Sequence, residues 1–141
     1  MFTVVLANIA VVSLAVIIHY ECLLRLTLLL ARVKIRHRLR ILLGVGGALL
    51  GHAMEVWVFA FAYYFMHQAK AWGHLKGSFD GSLMDCVYFS FTTFTTLGFG
   101  DIQPTGDLRF LTGIESLTGL VLITWTASFL FVEMQKFWNA K

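Results

Sequence analysis

Thr95-Thr96-Leu97-Gly98-Phe99-Gly100-Asp101 is the segment of this chain whose residue order most constrains its chemistry. Glycine reaches positive φ at little steric cost, so Gly98 and Gly100 allow consecutive backbone carbonyls to turn toward one axis. A second group of reactive side chains is scattered through apolar sequence: His19, Glu21, His52, Glu55 and Glu115. Ionisable groups inside a membrane are costly, and they mark function by default. His19, Glu21, His52 and Glu55 would suit a membrane metalloenzyme if several helices converged, but no Glu-x-x-His pattern repeats. The simpler reading is a buried, protein-facing His52–Glu55 pair joined by a hydrogen bond. Arg32, Lys34, Arg36, Arg38 and Arg40 form a basic run with no acid among them. Such a run can bind nucleic acid, but here it abuts an apolar stretch and reads as a cytoplasmic loop. Arg25, Arg32, Arg36 and Arg40 fall near one helical face, which suits contact with anionic lipid headgroups at Arg32, Arg36 and Arg40. They do not repeat every third residue within an apolar helix, which argues against a voltage sensor.

The elements that must hold these residues follow from composition. The chain has 141 residues, 58% hydrophobic and 13% charged, with a single proline. Soluble domains are roughly 25% charged, so this is a membrane protein's composition. Phe2–Ile18, Ile41–Met66 and Phe110–Val132 are long apolar stretches. A helical span needs about 20 mostly apolar residues, which the second and third supply outright. The first extends past Ile18 through Glu21 and Arg25, a favourable i,i+4 pair, to Ala31. It is expected to form one tilted span, with an interfacial helix as the alternative. It lacks a basic n-region and a small-residue cleavage site, so it does not read as a signal peptide. The second stretch carries a small-residue face of Gly44, Gly47, Ala48 and Gly51 that allows close helix approach. With Arg32–Arg40 inside, residues 67–82 lie outside, and Lys136 and Lys141 return to the cytoplasm. Cys22 and Cys86 then fall on opposite sides of the membrane and are expected to be free, packed thiols.

Ser82, with Asp85 three residues later, is an N-capping pattern ahead of a short apolar run. The resulting helix is too short to cross a bilayer and reads as re-entrant. Non-helical chain at that depth survives only when buried in protein or lining a water-filled path. Here the sequence resembles the pore loop of potassium channels, whose filter reads Thr-Val-Gly-Tyr-Gly. This chain has Thr96-Leu97-Gly98-Phe99-Gly100 followed by the family's aspartate, Asp101, with Thr95 before it and Pro104 after it. The resemblance covers 41–136 and leaves the N-terminal segment as an addition.

That resemblance implies an all-α membrane protein: three transmembrane helices, a re-entrant pore helix and an extended filter, assembled as a homotetramer. Its parts are an N-terminal helix (1–31), a basic cytoplasmic linker (32–40) and a pore domain (41–141). The pore domain divides into outer helix 41–67, turret 68–81, pore helix 82–94, filter 95–101 and inner helix 107–135. Carbonyls of Thr96, Leu97, Gly98 and Phe99 and the Thr96 hydroxyl would replace the water around K⁺. K⁺ is the permeant ion; no cofactor and no catalysis are implied. Leu97 and Phe99 would pack behind the filter, and Tyr88 would donate to Asp101. Phe99 stands where the family has tyrosine, and Tyr88 and Phe89 stand where many relatives have paired tryptophans. The filter is thereby softened, so a non-selective cation channel and a non-conducting membrane adaptor are the alternative readings. Glu115 lies level with the filter. It would brace it through a pore-helix hydroxyl such as Thr92 or Thr93, or through His52; otherwise it reaches the outer interface. Gly119 aligns with the family's inner-helix hinge, and Leu120, Ile123, Thr124, Ala127 and Phe131 then line the path, with Phe131 as a candidate constriction. The setting is a plasma or inner membrane, with the filter mouth outside.

Overall fold

The computed structural model describes residues 2–33, 35–69 and 71–138, and the side chains of these except His37, Phe137 and Trp138. Lys34 and Lys141, two cations used above for topology, lie outside the described residues. The elements run α1 (Phe2–Arg32), α2 (His37–Ala69), β1 (Leu75–Gly77), α3 (Leu83–Phe94), β2 (Ile102–Pro104) and α4 (Leu108–Trp138). Three helices are long and apolar enough to cross a membrane: Phe2–Arg32, Arg38–Ala69 and Leu108–Lys136. The protein is therefore a mostly helical integral membrane protein.

No glycine or proline interrupts α1, and it runs unbroken for 31 residues. At 1.5 Å per residue that is roughly 46 Å, ample for a hydrocarbon core about 30 Å thick. The linker is shorter than 32–40, because α2 begins at His37 and takes Arg38, Leu39 and Arg40 into its first turn. A cause is visible at Arg40. Its guanidinium turns back to donate to the carbonyls of Leu30 and, at 3.0 Å, Val33. Those are the carbonyls that a helix C-terminus leaves unpaired, and they carry partial negative charge. Arg40 is thus engaged by the protein, whereas Arg32 and Arg36 are exposed.

The small face of α2 is where α1 docks. A β-carbon on Gly47 would lie 2.7 Å from Leu26 Cδ1, and one on Gly51 would lie 2.7 Å from Cys22 Sγ. Side chains on either residue would push the helices apart, so the glycines set the closeness of the crossing. Cys22 and Cys86 are both free.

The segments before α3 and before α4 join in a small sheet that the sequence pattern does not predict. β1 pairs antiparallel with β2 in the register Leu75–Pro104, Lys76–Gln103 and Gly77–Ile102. Thr105 Oγ1 accepts from His74 N at 3.0 Å and donates to His74 O at 2.8 Å. Ser78 N donates to Asp101 O at 2.9 Å, tying the segment after β1 to the residue just before β2. Below it α3 begins as its sequence predicts: Ser82 is extended, and its hydroxyl accepts from Asp85 N at 3.1 Å. A core of Phe59, Tyr63, Phe89, Phe94, Leu108, Leu111 and Leu122 then fixes α3 between α2 and α4.

Candidate functional site: the filter segment and its supports

α3 stops at Phe94, and Thr95 closes it with N–H and hydroxyl bonds to Phe91 O at 3.2 and 2.7 Å. Thr96 follows in the left-handed region, φ 59°, with its N–H on Thr93 O at 2.9 Å. Gly98 has φ 52°, its N–H on Thr92 O at 3.0 Å, and Gly100 has φ 81°. Positive φ was predicted at the two glycines alone. Thr96 extends the alternation to every second residue, at the strain a β-branched side chain carries there. In an ordinary strand successive carbonyls point to opposite sides. Reversing the hand of every second residue brings successive peptides toward the same side.

Near the end of this segment the Gly100 carbonyl accepts from Gln103 Nε2 at 3.2 Å. Tyr88 OH donates to Asp101 Oδ2 at 2.8 Å. The hydrogen bond to Asp101 raises the Tyr88 phenol above its ordinary value, so it stays protonated and remains a donor at neutral pH. Tyr88 also lies parallel to Phe99, ring centres 6.5 Å apart. Leu97 and Phe99 do not pack behind the filter within this chain: they are 60% and 64% exposed. Within one chain only α3 flanks them, with Tyr88 beside Phe99, and that leaves most of both side chains uncovered.

Glu115 is fully buried, so it does not reach the interface. Its partners differ from those predicted: Ser90 Oγ donates to Oε1 and Tyr63 OH donates to Oε2, each at 2.5 Å. Thr92 and Thr93 are turned elsewhere. The Thr92 hydroxyl donates to Phe89 O at 2.9 Å, and Thr93 presents its carbonyl, which accepts from Ser116 Oγ at 3.1 Å. His52 is engaged by Glu55 and Thr126. Glu115 thus joins outer helix, pore helix and inner helix at one carboxylate.

Residues 51–136, more than half of the chain, match a protein-family model described as "Ion channel". The protein belongs to this ion channel family. The matched span runs from Gly51, the α2 glycine that faces α1, to Lys136 near the end of α4, so it contains Thr95–Asp101 and excludes α1. No curated protein and no solved structure shows a significant match to the chain.

In this channel Gly119 is buried against the end of α3, where a β-carbon would collide with the Phe94 carbonyl. The position implied as a hinge is thus a close backbone contact, and α4 runs through it without a break. Leu120, Ile123, Thr124, Ala127 and Phe131 are all exposed on α4. The four ionisable residues considered as metal ligands are not all brought together. Glu21 is exposed and lies 3.5 Å from Arg25. The other three do meet. The His52–Glu55 hydrogen bond forms at 2.9 Å, and His19 adds a bond of 2.8 Å to the other oxygen of the same carboxylate.

Proposed function

We propose that this ion channel conducts K⁺ passively and selectively as a homotetramer. The observation that carries this reading is the run of positive φ at Thr96, Gly98 and Gly100. Such a backbone suits a row of carbonyls from Thr96, Leu97, Gly98 and Phe99, with the Thr96 hydroxyl at the inner end, replacing the hydration shell of K⁺. One chain supplies one side of such a cage, and the bare Leu97 and Phe99 side chains are in keeping with walls supplied by further copies. α3 would aim its negative C-terminal end at a cation below the filter. The exposed stripe from Leu120 to Phe131 would line the inner path. The basic linker and C-terminus are assigned to the cytoplasm and the filter mouth to the outside, with Arg32 and Arg36 left for anionic headgroups. Glu115, Tyr88, Thr95 and Asp101 support the filter.

The test is ion flux in reconstituted vesicles. K⁺-loaded vesicles should discharge in external Na⁺, and Gly98→Ala should abolish the flux while the protein still inserts. Within its own chain a β-carbon on Gly98 meets nothing, so the strain it introduces there is that of a side chain at φ 52°. Equal permeation by Na⁺ would indicate a non-selective cation channel, and flux independent of residues 96–100 would remove the filter assignment.

A further inference from the structure

We infer that His19, His52 and Glu55 form a binding site for a first-row divalent metal ion, zinc foremost, which fastens the N-terminal helix to the channel body. The three residues come from α1 and α2 where those helices cross, and one ligating atom of each lies within 4.8 Å of the other two. His19 is 2% exposed and Glu55 is fully buried. Two imidazoles and a carboxylate are a ligand set suited to zinc or ferrous iron, with a coordination position left open.

Three observations support an ion at this place. Glu55 is a carboxylate sealed within a span and held by an imidazole on each oxygen, and a divalent cation would place positive charge directly against it. The far nitrogen of His52, Nε2, is 3.0 Å from Thr126 Oγ1 on α4, so the ring is held with Nδ1 turned toward Glu55. Metal-binding histidines are commonly oriented in this way through their second nitrogen. The Nε2 atom of His19 is buried with no hydrogen-bond partner among the described residues. His19 therefore has a ring nitrogen that hydrogen bonding within the cluster does not use, available as a ligand while Nδ1 stays on Glu55. Around the cluster stand Trp125, whose ring centre is 5.1 Å from that of His19, and Phe94, whose ring centre is 5.8 Å from that of His52. An ion here would stiffen α1 and α2 beside the last residue of α3.

Cobalt(II) is the probe, added to untagged, chelator-treated, full-length protein, and metal content is measured on the untreated protein. Tetrahedral ligand-field bands saturating at one ion per chain, displaced by zinc, are the expected result. His19→Gln and Glu55→Gln should abolish the bands, and Thr126→Val should weaken binding roughly tenfold by freeing the His52 ring. The wild-type titration decides the matter even if a variant does not fold. Absence of bands in the wild type, together with no co-purifying metal, would overturn the site. So would bands unchanged in both His19→Gln and Glu55→Gln, which would move binding elsewhere, for instance to the His67–His74 pair at the C-terminal end of α2.

Discussion

Replacing Glu115 by alanine removes one acceptor from two buried hydroxyls, and the two are not left equally placed. Ser90 keeps a second acceptor, Val56 O at 2.9 Å, so its loss is small. Tyr63 is left with Thr112 Oγ1 at 3.4 Å, a poor substitute for its 2.5 Å bond to the carboxylate. An orphaned buried hydroxyl costs roughly 1–3 kcal/mol. The lower half of that range applies here, because a helix unfolded within lipid also finds partners. The neighbours collapse into part of the space, and the one or two methyl-sized voids that remain add about 1–2 kcal/mol. The expected total is about 2–4 kcal/mol. Glu115→Gln should be mild. Its amide oxygen still accepts from Tyr63, and the Ser90 hydroxyl can donate to Val56 O while accepting from the new NH₂. Tyr63→Phe added to Glu115→Ala removes the orphan and should cost less than the two single changes summed. Thermal unfolding in detergent, read beside flux in vesicles, measures all four variants. If Glu115→Ala melts with the wild type, or Gln is as damaging as Ala, the carboxylate is not the joint described.

Gly119→Ala should disrupt flux and assembly, since its β-carbon would run into the Phe94 carbonyl. Gly113→Ala, with open space around it, should be neutral; matched flux assays compare the two. Tyr88→Phe keeps the ring against Phe99 but loses the bond to Asp101, and should speed the decay of macroscopic current without preventing assembly. Gly47→Leu should displace α1 through its clash with Leu26 and expose Cys22 to thiol reagents, while leaving the K⁺/Na⁺ ratio of assembled channels unchanged.

The spans, the Ser82 cap and the special backbone at Gly98 and Gly100 were readable because each depends on local chemistry: span length, a capping hydroxyl, an absent β-carbon. The hydroxyl facing Glu115 was not. α3 carries Ser90, Thr92 and Thr93 on neighbouring positions, and only its rotation against α4 decides that Ser90 points to the carboxylate. His19 and Glu55 stand out as candidates in the sequence, but only the crossing angle of α1 on α2 decides that His19 reaches the carboxylate while Glu21, two residues on, is exposed beside Arg25. The small sheet escaped for another reason: strands of three residues are too short to show alternation, and their pairing reaches across the whole pore loop. Arg40 was read as a loop charge because a basic run does not reveal which member will fold back onto the helix before it.

The bare Leu97 and Phe99 have a genetic consequence. In the proposed fourfold assembly each filter is shared property, and a cell that makes a mixture of sound and damaged subunits draws from both at every assembly. A variant that folds and associates but carries a faulty residue at 96–100 would then silence sound partners far out of proportion to its own abundance. A variant that fails to insert would merely lower the supply. Alleles of this channel should therefore sort by where they strike: dominant in the filter, recessive in the helices that only build the subunit.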